Sequence, residues 1–286
     1  MALIELPYFA PNPPHPLPTK DQVDTAPVLI AHNGYRVVHI KPHFVVKYGS
    51  SGQLNLIEGE NMLFVRQMTA VRMPQVYALY TDPVKSVNYI VMEYIEGDVL
   101  ASQWPNLTPT DKTNITNTLK KYFDQLRSLP SPGYFGGIGR RPLPEGMIWS
   151  EKPNPQINGP LDTEHALNTA LALKYVIESD IQTVYKAAFY RRTLAQVFQG
   201  HDPIFTHGDF QRKNIIIRRS SAGSSDFEVT LIDWQTSGWY PSYWEYSMAM
   251  SATRWNDDWD QWVSLVLKSY DAEFPWLKML YLEISS

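Results

Sequence analysis

"FTHGDFQRKNIIIRRSSAGSSDFEVTLIDWQTSGW", residues 205–239, sets an Asp, an Asn and a second Asp around two apolar runs. The runs "IIIR" and "VTLID" read as two short strands of a hairpin, apolar and partly β-branched, joined by a Ser- and Gly-rich loop at 220–225. Asp209 and Asn214 precede the first strand, and Asp233 ends the second. The pattern therefore predicts three oxygen-bearing side chains at the mouth of one rigid hairpin.

On the N-terminal side, "YRVVHI" (35–40) and "HFVVKYG" (43–49) read as strands around the turn Lys41-Pro42. Leu54, Ile57, Phe64, Val65 and Met68 fall at helical spacing across 53–70. The stretch "MPQVYALYTDPVKSVNYIVMEYIEG" (73–97) holds two apolar, aromatic runs that read as another strand pair. The first third is expected to be mostly sheet with one helix, preceded by an extended proline-rich arm at 1–20. Beyond a connector near 95–98 the character becomes helical. Thr108-Pro109-Thr110-Asp111 is a helix start with a Thr cap, Pro at the first helical position and an acid in the first turn. Helices are expected at 163–177 and 180–199, the second stopped by Gly200, and again after 242. Residues 130–160, rich in Gly and Pro, predict a long loop that is functional or poorly ordered.

The 286 residues are 44% hydrophobic, enough to bury one large core or those of two lobes. A net charge of −4 with a pI near 6.0 gives no nucleic-acid footprint. The absence of cysteine excludes a disulfide framework, thiol catalysis and thiolate metal sites, and suits a reducing compartment. No apolar run approaches the ~20 residues needed to span a bilayer. "MALIELPYFAPNPPHPLP" lacks the basic leader and apolar core of a signal peptide. A soluble, cytoplasmic protein that binds neither membrane nor nucleic acid is expected.

Metal-assisted phosphoryl transfer accounts for the hairpin. Nucleotide phosphates are neutralised by Mg²⁺, which prefers octahedral oxygen coordination and takes few protein ligands. The attacking hydroxyl needs a carboxylate beside it to accept its proton. "HGDFQRKN" followed by "LIDW" resembles the signature of the aminoglycoside phosphotransferase and choline kinase group, small-molecule relatives of protein kinases. "FVVKYG" resembles the lysine strand of that group, "LIEGENMLFVRQMTAVRMPQVY" its following helix and strand, and "YIVMEYIEG" the segment linking its lobes. The matching blocks run in the family's order from about residue 35 to 250.

The resemblance implies an α+β, bilobal protein-kinase-like fold, with a small sheet-rich N-lobe (21–96) and a larger helical C-lobe (97–286) carrying the catalytic hairpin. It implies ATP and Mg²⁺ as cofactors and a small-molecule hydroxyl as acceptor. Asp209 would be the catalytic base, and Asn214 and Asp233 the magnesium ligands. Lys47 would hold the α- and β-phosphates, paired with Glu58; Glu60 is a rival, and the family's spacing to Val65 favours Glu58. Backbone groups of Glu93, Tyr94 and Ile95 would face the base, and His207 would fix the catalytic turn. The glycine-rich loop of protein kinases is missing. Only "AHNGYR" stands before the lysine strand, with Asn33-Gly34 as a candidate turn near the phosphates. No APE-like segment follows Asp233, which points to a small acceptor rather than a protein. A nucleotide-binding pseudokinase or scaffold, and a relative that transfers an adenylyl group, are the rival readings.

Residues 230–274 hold seven acids against two bases, and six of the nine tryptophans. In one reading these acids are a solvated helix face and the tryptophans core, since Trp255, Trp259 and Trp262 fall at helical spacing. In the other, the family's placement of its acceptor site makes Asp257, Asp258, Asp260 and Trp239 substrate residues for an amine-bearing or aromatic hydroxyl compound, because aromatic faces and carboxylates attract cations.

Overall fold

The computed structural model describes residues 4–32, 34–144, 146–149, 154–178, 184–221, 224 and 226–284. Asn33 and parts of the 180–199, 130–160 and 220–225 stretches lie outside them. In chain order the elements are β1 (Tyr8–Phe9), α1 (Lys20–Thr25), β2 (Val28–His32), β3 (Tyr35–Ile40), β4 (Phe44–Ser50), α2 (Ile57–Met68), β5 (Val76–Asp82), β6 (Val87–Glu93), β7 (Asp98–Val99) and α3 (Leu100–Gln103). They continue with α4 (Pro109–Arg127), α5 (Pro155–Asn158), α6 (Glu164–Glu178), α7 (Val184–Val197), β8 (Pro203–Thr206), β9 (Ile215–Arg219), β10 (Phe227–Leu231) and β11 (Gly238–Pro241). Helices α8 (Trp244–Ser251), α9 (Trp259–Val266) and α10 (Phe274–Ile284) complete the described chain.

Two compact units result: residues 1–106 with 215–235, and residues 107–214 with 236–286. The 205–239 stretch is thus shared. Its β9–β10 hairpin belongs to the first unit, in a three-stranded sheet with β7, whereas the loop carrying Asp209 and Asn214 belongs with the helices. The division falls after Asn106, ten residues beyond the lobe boundary expected at 96.

In the first unit, a six-stranded antiparallel sheet runs in the order β1-β5-β6-β4-β3-β2. The proline-rich arm is partly built into it, because Tyr8 and Phe9 pair with Leu79 and Ala78. Helix α1 was missed in the reading of a single N-terminal helix; Thr19 and Gln22 form its capping box. Side chains alternate across a strand, so Phe44 and Val46 of β4 enter a core with Val38, Tyr77 and Val91, and Lys47 emerges on the other face. The glycine of "EGE" has a packing reason. A Cβ on Gly59 would lie 2.1 Å from Leu79 Cδ2, so only glycine lets α2 approach β5 this closely.

The second unit is helical. Thr108 caps α4 through a capping box with Asp111, and Pro109 opens the helix as expected. Within 130–160, Phe135, Leu143, Met147, Ile148 and Ile157 are buried in one core with α6, α7 and α10. These residues pack as a covering on that core, while Trp149 of the same stretch is exposed. The tail yields three helices. Trp259 is buried at the start of α9, while Trp255 precedes the helix and is 61% exposed, so these residues do not share one helical stripe.

Gly59→Ala should force α2 and β5 apart and destabilise the protein by about 1–3 kcal/mol, as overpacked cores do. Urea unfolding at neutral pH measures this; an unchanged midpoint would contradict the described packing.

Candidate active site

In the first unit, Lys47 is 5% exposed and donates to Glu58 Oε2 at 2.6 Å. Glu58 is the acid of the "EGE" pair that meets it. Lys47 Nζ also donates to Gln235 Oε1 at 3.3 Å, lies 3.8 Å from Asp233 Oδ1 and sits 4.9 Å above the Tyr35 ring. Burial pulls the ammonium pKa down, but Glu58 and then Asp233 outweigh it, and the net shift is upward. Burial raises the Glu58 carboxyl against the pull of Lys47, and Asp233 raises it further. One ammonium against two carboxylates leaves an excess negative charge.

Asp233 follows β10 with φ at 65°, in the left-handed region that Asp tolerates better than most residues. Its neighbour fixes it there. The Trp234 ring is fully buried, its indole N–H donates to Leu231 O at 3.1 Å, and its own carbonyl accepts from Asn61 Nδ2 of α2 at 2.8 Å. Asn61 was not singled out in the sequence; an amide on the buried side of an apolar helix was the only signal. Asp233 Oδ1 is buried with no hydrogen-bond partner among the described residues. A hard carboxylate oxygen in that state suits Mg²⁺. Among the described residues no cluster of three or more His, Cys, Asp or Glu could hold a metal.

Along the linking segment, Glu93 N–H donates to Gln75 O and Tyr94 N–H to His43 O, both at 2.8 Å. Of these three N–H groups, that of Ile95 has no backbone acceptor among the described residues. A cavity of about 410 Å³ borders this segment, and His39 stacks on Tyr94 with centroids 3.8 Å apart. The candidate phosphate turn of "AHNGYR" is described only from Gly34, at φ 92° between β2 and β3, with Asn33 outside the described residues.

In the second unit, the loop after β8 holds Asp209 in a dense network. Asp209 Oδ2 accepts from Asn214 Nδ2 at 2.7 Å and lies 3.0 Å from Lys213 Nζ, while Oδ1 accepts from Gln211 Nε2. Asn214 Nδ2 also donates to Asp209 O, which fixes the orientation of the amide. His207 has the expected structural role: its Nδ1 accepts from Asp209 N–H at 3.2 Å, and its carbonyl accepts from Ser237 Oγ at 2.9 Å. Gly208 takes φ 88°, and a Cβ there would meet Thr236 Oγ1 at 2.8 Å.

The buried Glu245 of α8 anchors this turn. Its carboxylate accepts the backbone N–H of His207 at 2.6 Å and of Gly208 at 3.2 Å. In the sequence it counted only as one acid of the tail; its isolation within "YPSYWEYSMAM" was the available signal. Of the substrate residues expected downstream, Asp257 and Asp258 are engaged by the protein. Asp257 pairs with Arg212 at 2.7 Å and accepts Trp259 N–H. Asp258 pairs with Lys112 at 2.9 Å and accepts the Trp262 indole N–H. Asp260 lies in the first turn of α9, and Trp239 is 2% exposed, packed edge-on against Phe205.

Burial lifts the Glu245 carboxyl to about 7, against the opposing hydrogen bonds from His207 and Gly208. A folded pKa above the unfolded value means that the unfolded chain releases the proton first. Stability from this group is thus present near pH 4.5 and lost as pH rises towards 7. Relative to Glu245→Gln, the parent should lose about 2–4 kcal/mol of unfolding free energy between pH 4.5 and 7.5. Urea titrations at both pH values test this; a parallel pH dependence in the two proteins would refute it.

A phosphotransferase enzyme family model matches residues 31–280. No curated protein sequence matches significantly. Among solved structures, the gentamicin complex of APH(2")-IIa is 13% identical with a TM-score of 0.58, covering 93% of this chain and 85% of its own. The GDP complex of aminoglycoside 2'-phosphotransferase-IIIa is 12% identical with a TM-score of 0.58, covering 91% and 82%. A thermostable mutant of APH(4)-Ia with ADP and hygromycin B is 15% identical with a TM-score of 0.57, covering 91% and 83%. These likenesses establish the α+β, protein-kinase-like fold, and with the family match over residues 31–280 the chain belongs to the phosphotransferase enzyme family.

Proposed function

We propose that the protein transfers the γ-phosphate of ATP to a hydroxyl of a small molecule. The buried Lys47 ammonium, clamped by Glu58 beside a carboxylate oxygen of Asp233 that accepts no hydrogen bond among the described residues, carries this reading. Taking such charges out of water costs several kcal/mol per ion, and apolar residues would fill the space with less penalty. An arrangement retained against that cost suits a ligand that brings both negative oxygens and a cation.

Lys47 would bind the α- and β-phosphate oxygens, with Glu58 keeping its ammonium in place. Ile95 N–H would donate to the base. Asp233 and Asn214 would supply oxygen ligands. Bound Mg²⁺ neutralises charge on the phosphates. Asp209 would accept the proton of the acceptor hydroxyl as that oxygen bonds to the γ-phosphorus and the bond to the β-phosphate oxygen breaks, releasing ADP. Gln211, Asn214 and Lys213 orient the Asp209 carboxylate, and Glu245 holds the backbone of its turn.

Incubation with Mg-ATP and a library of hydroxyl compounds, followed by mass spectrometry, should show one compound gaining a single phosphate; a gain of AMP would indicate adenylyl transfer instead. With that compound, Asp209→Asn should lower kcat by about 10²–10⁴-fold and leave Mg-ATP affinity unchanged, because the base touches the acceptor. Equal losses of rate and ATP affinity would move Asp209 to a binding role.

A further inference from the structure

Within the helical unit, a cavity of about 280 Å³ opens at the proposed base. Asp209, Gln211 and Lys213 form part of its wall, and Met248, Ser251 and Tyr281 face it from α8 and α10. Its volume falls just below the ~300–1,000 Å³ typical of pockets for drug-sized ligands. The occupant is therefore small.

The charge of the wall restricts it further. Asp209 and Lys213 are the two charged residues of the lining; they pair at 3.0 Å and cancel. Of the three acids expected to receive an amino group, Asp257 is paired with Arg212 and Asp258 with Lys112, and neither these two nor Asp260 lines the cavity. An ammonium group entering here would lose its hydration, approach Lys213 and compete for the one carboxylate needed as base. Uncharged hydroxyls meet no such penalty, since Gln211 and Ser251 can exchange hydrogen bonds with them. Met248 and Tyr281 offer a polarisable thioether and an aromatic ring to an apolar portion.

We propose that the acceptor is a small, uncharged hydroxyl compound with an apolar or aromatic portion, rather than an amine; this rests on the phosphoryl-transfer reading above. The aromatic alternative drawn from the tryptophan-rich tail is retained, and the amine-bearing one is set aside.

The test uses three single-ring alcohols of matched size that differ in one substituent: uncharged, carboxylate or ammonium. Each is titrated calorimetrically into the full-length protein loaded with Mg-ADP, and each is assayed for phosphate gain with Mg-ATP. The uncharged compound should bind roughly tenfold or more tightly than the ammonium compound, because like charges brought together at a binding surface are strongly disfavoured. Lys213→Glu should narrow or invert that preference, which a merely structural lysine would not do. An ammonium compound that binds as tightly as the uncharged one, a preference unmoved by Lys213→Glu, or no binding by any of the three would each overturn the inference. Preferential binding of the uncharged compound without phosphate gain would overturn phosphoryl transfer and leave the inference standing.

Discussion

The ion pair between Lys47 and Glu58 is the constraint around which the first unit is arranged. Its 2.6 Å contact is buried, so neither charge can be repaid by water. Three features set it in place. Strand alternation turns Lys47 away from the Val38–Val46 core. Gly59 lets α2 approach the sheet closely enough for Glu58 to reach the ammonium. Asn61, on the same helix, grips the carbonyl of Trp234 and so fixes the segment that carries Asp233. One twelve-residue helix therefore positions both negative charges facing the lysine.

The second unit solves a different problem, that of holding a tight turn with its carboxylate presented. Gly208 supplies the left-handed backbone, and Glu245 satisfies two adjacent N–H groups that the turn would otherwise leave buried and unpaired. A buried acid has a stability cost near neutral pH, visible in its raised pKa. That cost is consistent with a turn held for chemistry rather than for stability alone.

Much of this was legible in the sequence. Hydrophobic alternation marked β3 to β6, and the Thr108-Pro109 signal marked the start of α4. The lysine strand and the "EGE" helix indicated which residues would pair. Illegible were features set by long-range packing: the strand made by Tyr8 and Phe9, the burial of the 130–160 stretch, and the grip of Asn61 on Trp234. The ion pairs of Asp257 and Asp258 were also unreadable beforehand, because Arg212 and Lys112 lie 45 and 146 residues away in the chain.

We propose that the buried charge set around Lys47 binds a metal–phosphate ligand. Calorimetric titration of ATP with and without Mg²⁺, into the parent and into Asp233→Ala, tests it most directly. The account predicts that Mg²⁺ tightens ATP binding to the parent and has little effect in Asp233→Ala. The same dependence on Mg²⁺ in both proteins would contradict it.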